Sequence, residues 1–114
     1  MPKRQGSAAR ALSKNFKNDA RKLGTAIMDY ERESQRSGPH SAEAKLALVH
    51  ALTKESNYFN SNFKRMASIR QWALKRGNTK LVKEAELAMI HFDAKFDEAG
   101  KKQKQVIELM KKER

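Results

Sequence analysis

The sequence contains no cysteine, and its 114 residues include only 2 prolines, 5 glycines and 1 tryptophan. The absence of cysteine excludes disulfides, thiolate metal sites and cysteine nucleophiles. No run of about 18 apolar residues occurs, so the sequence contains no candidate for a membrane-spanning helix. Strand alternation and hairpin signals are missing, as are the Walker A, GxGxxG and HExxH motifs of enzymes. These absences favour a helical protein without catalytic activity.

Acidic residues are also scarce, because 25 lysines and arginines stand against 13 aspartates and glutamates and give a formal net charge of +12. A charge of this size exceeds what solubility requires and is typical of a protein with a polyanionic partner. That partner is a nucleic acid, an anionic membrane surface or an acidic protein. The alternative is a lysine-rich soluble bundle that binds no specific polyanion.

Apolar residues recur at helical spacing in three segments, at about residues 8–36, 42–76 and 79–112. Short connections place consecutive helices antiparallel to each other. The sequence therefore predicts an all-α fold, an antiparallel bundle of three long helices. Many residues of the apolar stripes are alanines, which bury little area, so we expect self-association or docking to other subunits.

Two glycine-containing turns separate these segments. Gly38 followed by Pro39 is predicted to end the first helix, and Ser41 to cap the start of the second. Gly77 is predicted to end the second helix, and one of the next two residues to cap the third. Each connection is therefore only a few residues long.

The middle of the second segment allows two interpretations. Five of the seven residues 56–62 are serine or asparagine, which favour caps and turns over helix interiors. The apolar repeat nevertheless passes through this stretch without a change of phase. We therefore favour one continuous helix, straight or bent, over two helices broken near residues 56–62.

The chain is predicted to form one domain, residues 1–114. Residues 1–7 are expected to be a flexible basic arm that ends at Ser7, an N-cap residue. Gly100 and the lysines after it are expected to bend or fray the third helix, which makes residues 101–114 a candidate frayed tail.

Positive charge gathers at one end of the predicted bundle. The start of the first helix, the end of the second and the start of the third meet at this end, which we call the basic pole, residues 3–22 and 64–83. Each stretch contains seven lysines or arginines, and Asp19 is the one acid in either of them. The candidate nucleic-acid-binding residues are Arg10, Lys14, Lys17, Arg21, Lys64, Arg65, Arg70, Trp72, Lys75, Arg76, Lys80 and Lys83.

Trp72 lies between Arg65 and Arg76 on one helical row of the basic pole. An exposed tryptophan flanked by arginines is suited to stacking against an unpaired base while the arginines hold phosphates. The middle helix contacts both of its neighbours, however, so the alternative is that Trp72 is a core residue.

Nothing in the sequence indicates catalysis, a cofactor or a metal site. His40, His50 and His91 are far apart in the sequence, and the acidic pairs of the third segment resemble solvated helix surface. The helices around Gly77 are too long for a helix-turn-helix unit. Readout of a specific duplex sequence is therefore less well supported than binding to the phosphate backbone.

We therefore expect a non-enzymatic helical subunit that binds the backbone of DNA or RNA with little sequence preference, together with other protein subunits or further copies of itself. Small subunits of CRISPR effector complexes, and packaging or accessory proteins of phages and plasmids, are similar in size and charge but share no motif with this chain. The alternative is a basic interaction module, an adaptor or inhibitor, that docks on an acidic protein surface. We expect no membrane partner, and a location in the cytoplasm or within a virion.

Overall fold

The computed structural model describes the backbone of residues 2–113 and the side chains of residues 16–113. Three α-helices account for nearly all of it: α1 (Pro2–Ser37), α2 (Ala42–Lys75) and α3 (Thr79–Lys112). No strand occurs between residues 2 and 113. The predicted all-α bundle of three long helices is confirmed.

Helix α1 begins earlier than the sequence suggested, at Pro2 rather than near residue 8, and so includes the stretch expected to be an arm. Proline is well suited to the first position of a helix, because its fixed φ is helical and its missing N–H has no partner there anyway. Ser7 therefore lies inside α1 and not at its start, so the predicted N-cap at Ser7 is wrong.

Helix α2 runs without a break through residues 56–62, as favoured from the apolar repeat. Two polar side chains of this stretch find partners while the backbone stays helical. The Asn62 side chain donates to the Tyr58 carbonyl one turn earlier, at 3.0 Å, and the Ser61 hydroxyl donates to the Asp19 carboxylate on α1. The bond to α1 engages the Ser61 hydroxyl, so that it does not compete for the backbone groups of α2, and the Asn62 bond to a carbonyl four residues earlier is compatible with a continuous helix.

Helix α3 passes through Gly100 to Lys112 and does not end at the glycine. The adjacent Ala99 is fully buried, and Gln103 donates to the Val49 carbonyl of α2 at 3.3 Å. A glycine in a helix interior costs about 1 kcal/mol relative to alanine. Packing on both sides of Gly100 offsets that cost.

The two turns form as their residues predict. Gly38 has a positive φ of 91°, and the Ser41 hydroxyl accepts from the Ala44 N–H at 3.1 Å at the start of α2. Gly77, with φ 70°, follows the end of α2, and the Asn78 N–H donates back to the Ala73 carbonyl at 3.0 Å. This return bond is the signature of a Schellman motif, which satisfies carbonyls at a helix end.

Helix α2 is the centre of the bundle, because α1 and α3 both pack against it. Within the described part of the chain, α1 and α3 do not contact each other. The result is an elongated molecule of 56 × 23 × 18 Å. Both outer helices therefore leave one side of their surface without a neighbour from this chain.

The core is thin and made almost wholly of small side chains. The buried apolar residues are Ala26, Ala44, Ala51, Leu52, Ala73, Ala85 and Ala99. No bulky side chain between residues 16 and 113 is fully buried. Small side chains allow the helices to approach closely but remove little apolar area from water.

Half-buried aromatic residues connect the three helices near the middle of the bundle. The ring centroids of Phe16 on α1 and Tyr58 on α2 are 5.4 Å apart. The ring of Phe59, next to Tyr58, lies 6.5 Å from that of Phe92 on α3. Aromatic pairs at such separations stabilise beyond their buried area, so this bridge supplies packing that the alanine core lacks.

Candidate nucleic-acid interface

The packing of the helices brings the two stretches of the basic pole to the same end of the molecule. The guanidinium of Arg65 on α2 lies over the Phe16 ring of α1, 5.0 Å from its centroid. On the other side of α2, Arg70 contacts Glu86 of α3. The second half of α2 therefore lies beside the first half of α1 and the start of α3. The side chains of Arg10 and Lys14 lie outside the described residues.

Most of the described cations of the pole face solvent. The exposed ones are Lys17, Arg21, Lys22, Lys64, Lys75, Arg76, Lys80 and Lys83. Among residues 16–113, none of these side chains has a carboxylate within 4.0 Å. Their charge is therefore not compensated by a direct ion pair, which leaves it free to attract an anion from solution.

Two arginines of the pole have structural contacts instead. Arg65 is half-buried against Phe16. Arg70 is also half-buried, and its Nε donates to Oε2 of Glu86 at 3.1 Å. These guanidinium groups hold α2 against its neighbours and are less available to an anion than the exposed lysines. The sequence analysis included both arginines among the candidate nucleic-acid-binding residues, because the apolar spacing does not show which cations form contacts between helices.

Trp72 is exposed to 41% of its surface, so the interpretation as a core residue is wrong. The Arg76 guanidinium lies over its ring, 4.7 Å from the centroid. This geometry is a cation–π contact at the end of α2. It places an aromatic face and a positive charge together at the surface of the pole.

Ion pairs are concentrated away from the pole. Among the described residues outside it, the pairs are Asp29–Arg32, Glu33–Arg36, Lys45–Glu113, Lys95–Glu98, Lys102–Glu98 and Lys111–Glu108. At Glu98, a hydrogen bond from Lys102 and the charge of Lys95 hold the pKa of the carboxyl below its ordinary value. Outside the pole, many of the described cations are thus in direct ion pairs, although Lys101, Lys104 and Lys112 are not, whereas the exposed cations of the pole form none.

Arg21 lies at the margin of the pole. It lines a cavity of about 570 Å³ between α1 and α2 together with acidic residues, Asp29, Glu33 and Glu43, and with the exposed Leu46. This cavity extends toward the end of the bundle opposite the pole. Its mixture of both charges and apolar side chains does not indicate one class of ligand.

A smaller cleft between α1 and α2 was not anticipated from the sequence. Its volume is about 260 Å³, and its lining is entirely polar: Asn18, Asp19, Lys22, Asn57, Asn60, Ser61 and Lys64. The signal in the sequence was the serine- and asparagine-rich stretch of α2, which we interpreted as a weak point of the helix. We call this site the polar cleft.

None of the helices between residues 2 and 113 combines the length and apolarity needed to cross a bilayer. In the described residues, no group of three or more His, Asp or Glu side chains is placed to hold a metal ion. No family model, curated protein or solved structure matches the chain.

Proposed function

We propose that this protein is a non-enzymatic helical subunit that binds the phosphate backbone of a nucleic acid through its basic pole, with little sequence preference. It acts next to other protein subunits or further copies of itself. The observation that carries the proposal is the uneven compensation of charge. Exposed cations without carboxylate partners gather at the pole, whereas the ion pairs of the described chain lie mostly elsewhere.

The chemistry of the exposed residues favours the backbone over the bases. Lysine ammonium groups such as those of Lys64, Lys75 and Lys80 are flexible point charges, which suit phosphate oxygens rather than the fixed donor and acceptor pattern of base edges. The helices that meet near Gly77 are each 34 residues long. A helix-turn-helix reader instead places a short helix in the major groove.

The thin core supports the second part of the proposal. The apolar residues that stay exposed include Ile27, Met28, Leu74, Leu87 and Ile90. An assembly that covers such residues would gain the burial that the chain does not achieve alone.

A charge-matched pair of variants tests the proposal. The first variant, K64Q/K75Q/K80Q, removes three exposed cations from the pole. The control, K101Q/K104Q/K112Q, removes three exposed cations from the other end of α3, so both have the same net charge. Affinity for duplex and single-stranded DNA and RNA is measured by fluorescence anisotropy at several salt concentrations.

The pole variant is expected to lose affinity for all sequences and to show a salt slope that is shallower by about 2–3 in log K per log salt. The control is expected to keep most of the affinity. Equal losses in both variants would mean that net charge, rather than the pole, governs binding, and would contradict the proposal.

Exposed apolar residues near the pole favour one second candidate, docking on an acidic protein. Leu87 and Ile90 are exposed to 68% and 67% of their surfaces, and their spacing of three residues places them on one face of α3. The variant L87S/I90S separates the candidates. If docking on a protein is the function, it abolishes association with that protein, whereas backbone binding by the pole is expected to be unchanged.

A further inference from the structure

The polar stretch of α2 has a composition that its helical structure does not explain. Asn57 and Asn60 are exposed and lie in the interior of a continuous helix. Asparagine is less favourable than alanine at such positions and helps a helix mainly at its caps. Neither residue caps α2, whose N-cap is Ser41. Their side chains instead line the polar cleft with residues of α1.

The floor and the rim of the polar cleft differ in charge. Asp19 contributes a carboxylate that accepts a hydrogen bond from Ser61 across the two helices. Lys22 and Lys64 also line the cleft, and both are exposed. An anionic group is attracted by the two ammonium groups and repelled by the carboxylate. A neutral group with hydrogen-bond donors suits the carboxylate and the asparagine carboxamides.

One row of side chains on α2 leads from the polar cleft to the basic pole. The row is Asn57, Ser61, Lys64, Ser68, Gln71 and Lys75, at intervals of four, three, four, three and four residues. Residues at these intervals share one face of a helix. From residue 57 to residue 75 the row extends about 27 Å along the axis. Lys22 and Lys64 belong to both the cleft and the pole, so the two polar surfaces are continuous.

We propose that this row is the path of a single nucleic-acid strand, and that the polar cleft takes one nucleotide of it. The nucleotide's phosphate lies between Lys22 and Lys64 at the rim. Its sugar hydroxyl or base amino groups face Asp19, Asn57 and Asn60. This inference rests on the proposed function and adds to it the class of ligand, a single strand rather than a duplex.

The dimensions of the site support a single strand. The cleft, at about 260 Å³, is smaller than the 300–1,000 Å³ that is typical of pockets for drug-sized ligands. It admits the sugar or the base of one nucleotide, with the phosphate outside at the rim, and it does not admit a base pair. At the pole, the exposed ring of Trp72 offers a surface on which an unpaired base stacks. A duplex keeps its bases inside and uses neither feature.

The variant N57A/N60A tests this inference. Alanine has the higher helix propensity, so the variant is expected to fold at least as well as the natural chain. Its control is Q35A/Q105A, which exchanges two exposed neutral side chains elsewhere in the bundle. The probes are a labelled 20-nucleotide strand of mixed sequence, as DNA and as RNA, and the duplex of the same DNA strand.

Loss of the cleft's hydrogen bonds is expected to weaken single-strand binding about five- to tenfold and to leave duplex affinity within about twofold. The control variant is expected to match the natural chain on every probe. Unchanged single-strand affinity, or an equal loss on the duplex, would overturn the inference. Neither result would affect the proposed function, which is tested separately by the pole variant and its charge-matched control.

Discussion

The Arg76 guanidinium lies over the ring of Trp72, with its carbon 4.7 Å from the ring centroid, at the solvent-facing end of α2. Both residues are exposed. A cation–π contact at an exposed site contributes about 0.5–1 kcal/mol to this arrangement. We propose that the ring is the surface on which an unpaired base stacks.

Replacement of Trp72 by alanine is expected to weaken single-strand binding about tenfold, because stacking of a base on an aromatic side chain contributes about 1–3 kcal/mol. Thermal stability is expected to fall by about 1–2 kcal/mol, because Trp72 is only 41% exposed and its covered part loses apolar packing. W72F is the matched control and keeps an aromatic face. Anisotropy of a labelled strand measures the affinities, and equal binding by W72A and the natural chain would show that the ring does not contact a base.

Glu86→Gln is expected to strengthen nucleic-acid binding about threefold, because it releases Arg70 from its carboxylate partner at the pole. The loss of stability is expected to stay below about 1 kcal/mol, since the ion pair is partly exposed and such pairs contribute little. E84Q gives the same change of charge at an exposed neighbour that forms no ion pair among the described residues. If both variants gain equally, the release of Arg70 is not the cause.

Replacement of Gly100 or Gly77 by alanine is expected to change the free energy of unfolding in opposite directions. Gly100 lies inside α3, and an added Cβ meets no atom within 4 Å, so G100A is expected to stabilise the fold by about 0.5–1 kcal/mol. Gly77 has φ 70°, where a side chain is strained, so G77A is expected to destabilise by about 1 kcal/mol. Urea unfolding followed by circular dichroism measures both. If G77A stabilised the protein, the left-handed backbone conformation of Gly77 would be contradicted.

Ala73 is fully buried near the end of α2. A73L is expected to destabilise the bundle by about 1–3 kcal/mol, because extra methyl groups in a close-packed contact force the helices apart. A94L, at an exposed position of α3, is its control and is expected to be nearly neutral. A73L as stable as the natural chain would mean that the helices do not approach as closely as described.

The sequence was sufficient to predict the number of helices and the turns between them. Apolar spacing depends on each helix separately, and the roles of Gly38, Ser41 and Gly77 depend on a few adjacent residues. The continuity of α2 was also predictable, since the apolar phase does not slip across residues 56–62. The start of α1 at Pro2 was not predictable, because the apolar repeat does not extend to the first residues of the chain.

The details of the candidate site depend on how the helices pack, which periodicity does not determine. The Arg70–Glu86 pair requires the register of α2 against α3, and the polar cleft requires that of α1 against α2. The 41% exposure of Trp72 also depends on how the faces of α2 are turned toward its neighbours, which the apolar spacing does not determine. The gathering of charge at one end was predictable because it needs only the antiparallel order of the helices.

The salt dependence of binding tests the basic pole most directly. The natural chain is titrated with a 20-nucleotide strand and with its duplex at several salt concentrations, with the fluorescence of Trp72 as the signal. The predicted result is affinity that persists at physiological salt and falls with a slope of about −3 or steeper in log K per log salt, as expected when at least several phosphates are neutralised. Binding that is absent at physiological salt, or that does not depend on salt, would contradict the account.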